Sequence, residues 1–284
     1  MGNGFIQLDA TAVMAIGIAF FSFLYLATAL MTSGLTRHVL PRMGYGRRLD
    51  PRPVEAAQVR RELGASAVSI FIFGTGLLVP WGLLQRGWAR LAHEPSWWQV
   101  AAEVGVLFLW NELHFYGSHR LLHTRPLRRF HAIHHRSHVP TPWSTYAFHP
   151  VEAALLGSVP LIPMLLHEFS AAALLSLPVL SIVLNNLGHS NYEASRDTPA
   201  RGWRSASRRH HLHHACYHGN YGFLLDVFDR WGGSVIPANG ATARIAGASG
   251  AHSGRMPAHP CNLSAGTLPP GASGRGPATR HKDR

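Results

Sequence analysis

The sequence is poor in charged residues and almost devoid of lysine. Only 14% of its 284 residues are Asp, Glu, Lys or Arg, against about 25% in soluble domains. Lys282 is the single lysine, so arginine supplies nearly all of the formal net charge of +12. The shortage of charge argues against an ordinary soluble globule, and the apolar content of 46% excludes a disordered basic polypeptide. Two cysteines are too few for a disulfide framework.

Long uncharged runs take the place of the missing charges. Residues 11–31 and 65–85 contain no charged side chain, and each is long enough to cross a hydrocarbon core of about 30 Å as a helix. Residues 98–113 form a third candidate span, although Glu103 and Glu112 lie inside it. A cleaved signal peptide is disfavoured, because the first run is long and no basic residue precedes it. The sequence therefore predicts an all-α, multi-pass integral membrane protein with about three transmembrane helices.

Residues 151–187 add a predicted helical hairpin that breaks near His167 and Glu168. Each arm is short for a full crossing, and a buried hairpin of the soluble kind is the alternative. Arginines cluster after the first span, after the third and after the hairpin. The positive-inside rule then predicts that these clusters are cytoplasmic and that the N-terminus lies outside. They are expected to contact headgroups rather than nucleic acid, because no nucleic-acid motif accompanies them.

Histidines are the most unusual feature, since 15 of the 20 lie between His114 and His218. At helical spacing, residues i, i+3 and i+4 share one face. Three short motifs, the histidine boxes, contain eight histidines at this spacing. One tetrahedral ion needs about four ligands, so the boxes predict two metal ions on a cytoplasmic, histidine-rich helical cap. Imidazole suits iron, zinc, copper and nickel, so the ligand type alone does not name the metal. The boxes are HRLLH with His119 and His123, HAIHH with His131, His134 and His135, and HHLHH with His210, His213 and His214.

Other polar residues near the boxes are predicted to assist. His189, in LGHSN, is a further candidate ligand. His149, in FHPVE, could be a ligand or a headgroup contact, but a hydrogen bond to a ligand is favoured. Glu152 is expected to accept from a ligand imidazole, which would fix its tautomer, although an acidic residue at a helix N-terminus is the simpler interpretation. Asn220 is a further candidate for such support, and His211 points off the face of its box.

In their order and context, these motifs resemble the histidine boxes of the fatty acid hydroxylase/sterol desaturase superfamily. Around the boxes, YAFHPVE, GHSNYE and NYGFLLDVFDRWGGS also resemble its segments, with Phe228 where the family usually has Trp. The resemblance covers roughly residues 100–236. By position it implies nine metal ligands: His119, His123, His131, His134, His135, His189, His210, His213 and His214.

The resemblance implies a membrane-bound non-haem di-iron oxygenase that uses O2 and two electrons to attack a C–H bond of a lipid. The expected function is hydroxylation of a fatty acyl or sterol-like lipid, with a desaturase of the same di-iron site as the alternative. A membrane zinc metallohydrolase is a less favoured class. Because no haem-binding motif is fused to the chain, electrons are expected from a separate electron-transfer protein. The sequence leaves the oligomeric state open.

These observations predict three regions. Residues 1–97 form an N-terminal transmembrane region with a basic cytoplasmic loop, and residues 98–236 form the fatty acid hydroxylase-like catalytic domain. Residues 237–284 are rich in Gly, Ala, Pro and Arg. We expect that last segment to be a disordered tail without a catalytic role, because its composition offers little apolar surface to bury.

Overall fold

The computed structural model describes residues 2–193 and 202–236, so the predicted tail lies outside the described residues. Within them helices are the main secondary structure, and loops connect them. A π-helical turn spans Leu35–Val39, and 3₁₀ turns span His134–Arg136, Pro142–Ser144 and Trp203–Ser205. Two short strands, β1 (Arg47–Arg48) and β2 (Tyr192–Glu193), pair antiparallel. The α-helices are α1 (Gly2–Ile6), α2 (Ala10–Gly34), α3 (Leu40–Arg42), α4 (Ala56–Gly76), α5 (Leu78–Gln85), α6 (Trp97–Leu122), α7 (Arg128–His131), α8 (Pro150–Gly157), α9 (Leu161–Leu166), α10 (Ala171–His189), α11 (Ala206–Cys216) and α12 (Val227–Trp231).

Among the described residues, three helical stretches are long and apolar enough to cross a membrane: Ala10–Arg42, Ala56–Gln85 and Ala171–His189. The first two contain the spans predicted at 11–31 and 65–85, and the expected all-α membrane architecture is confirmed. The third differs from the prediction. It is α10, the second arm of the expected hairpin. This helix is 19 residues long, and Pro178 lies inside it without ending it.

The predicted third span, residues 98–113, lies in α6, which is 26 residues long but less apolar. Its acidic residues Glu103 and Glu112 are buried against protein. Glu103 accepts a hydrogen bond from the backbone N–H of Ser170 at 2.8 Å, and Glu112 accepts from the backbone of Leu225 at 2.8 Å. The two carboxylates therefore join α6 to neighbouring elements, one in its N-terminal part and one near its middle.

The long helices share two common ends. At one end, Glu103 of α6 contacts Ser170 at the start of α10, and the backbone N–H of Ala92 donates to Phe169 at 3.0 Å. At the other end lie the C-termini of α6 and α10, the pair β1–β2 and α11. Helices α2, α6 and α10 thus run towards this second end, whereas α4–α5 and α8–α9 run away from it. All three histidine boxes lie at the second end.

The contact between α2 and α4 depends on two glycines. A Cβ atom on Gly17 would lie 2.5 Å from the carbonyl oxygen of Gly74, and one on Gly74 would lie 2.6 Å from the backbone nitrogen of Ile18. The two backbones therefore touch, as is typical of small-residue contacts between membrane helices. Next to this crossing, Phe21 and Tyr25 pack with Tyr146 in the largest apolar cluster. The helices predicted as separate regions before and after residue 97 thus pack into one bundle.

Candidate metal centre

The structure brings all nine predicted ligands together at one end of the bundle. They form two groups, and within each group one ligand atom per residue lies within 4.8 Å of the others. Their imidazoles come from the end of α6, the α7 segment, the last residue of α10 and α11. The first group contains His119, His123, His131, His135 and His213, and the second contains His134, His189, His210 and His214.

The second and third boxes each divide between the two groups. In the second box, α7 ends at His131 and a 3₁₀ turn begins at His134, so the box is not one continuous helix. His131 and His135 face the first group, while His134 faces the second. The assumption that each box presents all its histidines on one helix face is accordingly wrong for this box. In α11, His210 and His214 are one turn apart and share the second group, whereas His213 faces the first.

Hydrogen bonds set the tautomers in the first group. The Nδ1 atom of His119 lies 2.9 Å from the carbonyl oxygen of Tyr221, and Nδ1 of His213 lies 2.8 Å from that of Gly219. A carbonyl oxygen can only accept, so each Nδ1 carries the proton and each neutral ring keeps a lone pair on Nε2. Nδ1 of His131 likewise lies 2.7 Å from Oε1 of Glu152. The Nε2 lone pairs are therefore free to bind a cation.

The facing Nε2 atoms of His119 and His131 would repel each other without a cation between them. Nε2 of His119 lies 3.1 Å from Nε2 of His131, and Nε2 of His213 lies 3.0 Å from that of His135. When both Nδ1 atoms carry the protons, as for His119 and His131, two lone pairs point at each other. Nitrogen ligands about 2.0–2.1 Å from one ion, at the angles of roughly 90–110° usual in octahedral or tetrahedral coordination, lie roughly 2.8–3.4 Å apart. The spacing therefore fits metal coordination.

The second group repeats this arrangement. Nδ1 of His189 lies 2.8 Å from the carbonyl oxygen of Asn185, one helical turn earlier. Its Nε2 lies 3.1 Å from that of His134 and 3.2 Å from that of His210, and Nε2 of His214 lies 3.1 Å from that of His210. All four residues are buried. The group is thus a set of four nitrogen donors turned towards a common point.

Burial keeps the histidines neutral, which is the form that binds metal. Desolvation, followed by the proximity of neighbouring imidazoles, lowers the pKa well below its ordinary value for the six candidate ligands of the second and third boxes: His131, His134, His135, His210, His213 and His214. Protonation would place like charges within hydrogen-bonding distance inside the protein. The site is therefore adapted to hold a cation and not to carry protons.

The supporting residues differ in how they contact the groups. Glu152 is 1% exposed and contacts His131 directly, as predicted. The side chain of Asn220 hydrogen-bonds to none of the nine histidines among the described residues, but it holds the loop whose carbonyl groups accept from two of them. Its Oδ1 accepts from the backbone N–H of Ile236 at 2.9 Å, and its Nδ2 donates to the carbonyl of Arg209 at 3.2 Å. His149 lies elsewhere. Its Nδ1 accepts from the backbone of Val151 at 3.1 Å and caps α8.

A loop of the N-terminal region, which the sequence patterns did not mark, is tied to both elements of the second group. The backbone N–H of Asp50 donates to Oδ1 of Asn191 at 2.8 Å, and Nδ2 of Asn191 donates to the carbonyl of Asp50 at 3.0 Å. The Asp50 carboxylate lies 3.5 Å from Nε2 of the buried His211. Because Asn191 follows His189 and His211 follows His210, this loop helps to hold α10 against α11.

Glu152 is expected to contribute measurably through His131. Glu152→Ala removes the acceptor that orients the ring, and loss of such a partner typically costs 10–100-fold in metal affinity or activity. Glu152→Gln keeps the shape and an acceptor oxygen, so we expect a smaller loss. Metal content per chain after dialysis against a graded chelator series measures the effect. Equal metal retention in Glu152→Ala and the wild type would contradict this role.

Comparison with known proteins agrees with the arrangement. The family described as fatty acid hydroxylase matches residues 104–234. The chain is 30% identical over 177 residues to a Δ(7)-sterol 5(6)-desaturase of Eremothecium gossypii, covering 56% of this chain and 46% of that protein. It is also 30% identical over 206 residues to the Δ(7)-sterol 5(6)-desaturase ERG3B of Gibberella zeae. That match covers 67% of this chain and 60% of that protein.

A lathosterol oxidase of Mus musculus is 29% identical over 157 residues, which are 52% of each chain. The chain thus spans about half the length of the curated relatives it matches first. No solved structure matches it significantly. The matched segment contains all nine clustered histidines, whereas the loop at Asp50 lies outside it.

Proposed function

The chain belongs to the fatty acid hydroxylase/sterol desaturase superfamily, and from that premise we propose that it is a membrane-bound, O2-dependent lipid hydroxylase. The proposed substrate is a fatty acyl or sterol-like lipid, and the proposed cofactor is a pair of iron ions. The observation that carries this proposal is the division of nine histidines, eight of them buried and His123 half-buried, into groups of five and four. An all-imidazole donor set suits iron, and two groups suit two ions.

The chain's own residues would hold and orient this centre. The nine histidines would bind the ions through nitrogen, while Glu152 and the carbonyls of Asn185, Gly219 and Tyr221 fix the ring tautomers. When bound, the two irons would supply the redox chemistry with O2 that attacks an aliphatic C–H bond. The protein's contribution is then to position the lipid beside the histidines and to exclude water.

A small cavity marks the side from which the lipid would approach. It has a volume of about 10 Å³ and contacts histidines of both groups, namely His119, His131 and His134. That volume is about enough for one water-sized molecule. Its other walls are largely apolar and come from α6, α8 and the segment before α8: Phe115, Leu122, Phe148 and Leu156. We propose that the reacting carbon enters through this wall, which faces the interior of the bundle and not the aqueous end.

We also propose that the histidine end is cytoplasmic and receives electrons from a separate carrier. The arginines that follow the first span and those that follow α6 lie at the histidine end. The positive-inside rule favours a cytoplasmic location for such basic segments. Arg125, Arg128 and Arg129 follow α6 directly and are exposed. A positive surface beside a buried redox centre favours association with an acidic electron-transfer protein.

Desaturation of a lipid is the second candidate, and the descriptions of the relatives favour it. Labelling with ¹⁸O2 separates the two. Cells with and without the gene are grown under ¹⁸O2 and their lipids are analysed by mass spectrometry. One ¹⁸O atom in a gene-dependent lipid is expected for the hydroxylase, whereas loss of two hydrogens without label indicates the desaturase. A gene-dependent product that persists without O2 and takes oxygen from water would replace both by a zinc hydrolase.

A further inference from the structure

A second cavity lies apart from the histidine groups. It has a volume of about 320 Å³, within the range of small-ligand sites. It opens between the first turns of α4 and the segment that runs from the second histidine box to α8. The residues that line it are Gln58, Arg61, Glu62, Gly64, Ala65, Ile133, Arg136, Ser137 and Ala147.

The buried polar groups of this cavity bind one another. Glu62 is 2% exposed and accepts from the Thr141 hydroxyl at 2.6 Å and from Nε2 of Gln58 at 2.8 Å. Nε2 of Gln58 also donates to the carbonyl of Val139 at 2.9 Å, so both of its amide hydrogens are used. These contacts tie α4 to the segment after the second box. The Glu62 carboxylate is therefore shielded and already satisfied within the protein.

Two arginines at the cavity are, by contrast, available for a ligand. Arg61 and Arg136 are exposed, and within residues 2–193 and 202–236 neither guanidinium lies within 4.0 Å of a carboxylate. A guanidinium offers a planar set of donors that matches a phosphate. The available chemistry of the cavity is thus that of an anion-binding site.

The depth of the cavity indicates where such an anion would come from. Arg61 lies just before the uncharged run 65–85 of the second membrane-spanning stretch. Further along α4, Val68 and Phe71 are 45% and 59% exposed, as lipid-facing residues are. The cavity therefore lies where α4 leaves the hydrocarbon region, at headgroup level. Its apolar walls, Ala65, Ile133 and Ala147, are suited to the first carbons of a lipid.

We propose that this cavity binds the headgroup of an anionic phospholipid, with Arg61 and Arg136 on the phosphate. A zwitterionic choline headgroup fits less well, because it would add a third positive charge beside the two arginines while Glu62 is shielded. The site is distinct from the histidine centre, and the proposal does not depend on the reaction performed there. It predicts a lipid that remains bound whether or not the protein contains metal.

Gly64 allows the cavity to be filled without removing a charge. It lies inside α4 and lines the cavity, and a Cβ atom at this position has nothing within 4 Å. Gly64→Trp therefore places bulk in open space, while Gly64→Ala is the matched control.

For the arginines, the double variant Arg61→Gln/Arg136→Gln is matched by Arg60→Gln/Arg125→Gln. The control removes the same charge from exposed arginines at the same end that do not line the cavity.

The experiment measures binding of phosphatidylglycerol and phosphatidylcholine to the full chain by native mass spectrometry, with metal content and thermal unfolding recorded to show that each variant is folded. We expect phosphatidylglycerol affinity to fall at least about tenfold in Arg61→Gln/Arg136→Gln, since a hydrogen bond to a charged group contributes roughly tenfold or more. It should fall less in Arg60→Gln/Arg125→Gln, which loses only the general attraction of the basic end for anionic lipid. Gly64→Trp should lower it as well, and Gly64→Ala should not.

Equal losses in the two double variants would overturn the proposal, because they would show only general attraction between the basic end and anionic lipid. Unchanged binding in Gly64→Trp would overturn it as well, provided that the variant is folded. Soluble glycerol 3-phosphate should not displace the lipid. Full displacement by it would show a site for a free phosphate compound instead. Equal affinity for phosphatidylcholine would show that the cavity does not select charge.

Discussion

Replacing His213 by alanine is expected to abolish turnover and to leave the protein in the membrane. His213 is the only residue that α11 contributes to the first group, where its Nε2 lies 3.0 Å from that of His135 and 3.2 Å from that of His123. We expect a loss of activity of more than about 100-fold, since residues that act as a unit fail together. Metal analysis should show a fall from two ions per chain towards one.

The same result is expected for His134→Ala, which removes a ligand from the second group instead. Membrane insertion should persist in both variants because the apolar helices drive it. His93→Ala is the matched control, since His93 is exposed and lies between α5 and α6, at the far end of the bundle. His252→Ala, or deletion of residues 240–284, should also leave activity unchanged. Activity within about threefold of wild type in either ligand variant would count against coordination.

Gly74→Leu is expected to prevent accumulation of folded protein. The first atom of the new side chain would already lie 2.5 Å from a side-chain carbon of Ile18 and 2.6 Å from its backbone nitrogen. Backbone atoms of a packed helix cannot move aside as a flexible side chain can, so α2 and α4 would have to separate. Yield of monodisperse protein after detergent extraction, and its unfolding temperature, measure the effect.

Gly76→Leu provides the control for this prediction. Gly76 lies in the same helix two residues later, and a Cβ atom there has nothing within 4 Å. The substitution adds the same volume and apolar surface without a clash. Gly76→Leu should therefore be recovered like the wild type. Similar yields for the two leucine variants would show that the close approach of α2 and α4 is not required for folding.

The clustering of the nine candidate ligands was predictable because spacing and chemistry agree within short segments. HRLLH and HHLHH lie on α6 and α11, with His123 at the C-terminal cap of α6, so their i, i+3 and i+4 offsets retain their meaning. His189 was accessible through its place after an apolar run. The allocation of these histidines between two groups was not accessible, because the i and i+4 members of the second and third boxes share one group while the i+3 member joins the other, both across the break at His134 and in the continuous helix α11.

Long-range contacts account for the rest of the differences. Nothing local identifies the carbonyls of Gly219 and Tyr221 as acceptors for ligand imidazoles, since every residue carries a carbonyl and only the folded chain selects one. The contact between Asp50 and His211 joins positions 161 residues apart. The sequence predicts the third apolar span at residues 98–113 and hairpin arms that are short for a full crossing, yet α10 is 19 residues long with Pro178 inside it.

The share of α11 in both histidine groups has a consequence for how the protein is made. His213 belongs to the first group, and His210 and His214 belong to the second. During synthesis, neither group can be complete until α11 has left the ribosome, after every apolar helix is already in the membrane. Any metal held by the two groups would therefore be acquired late in biogenesis, and a chain truncated before residue 210 would insert into the membrane without a complete histidine group.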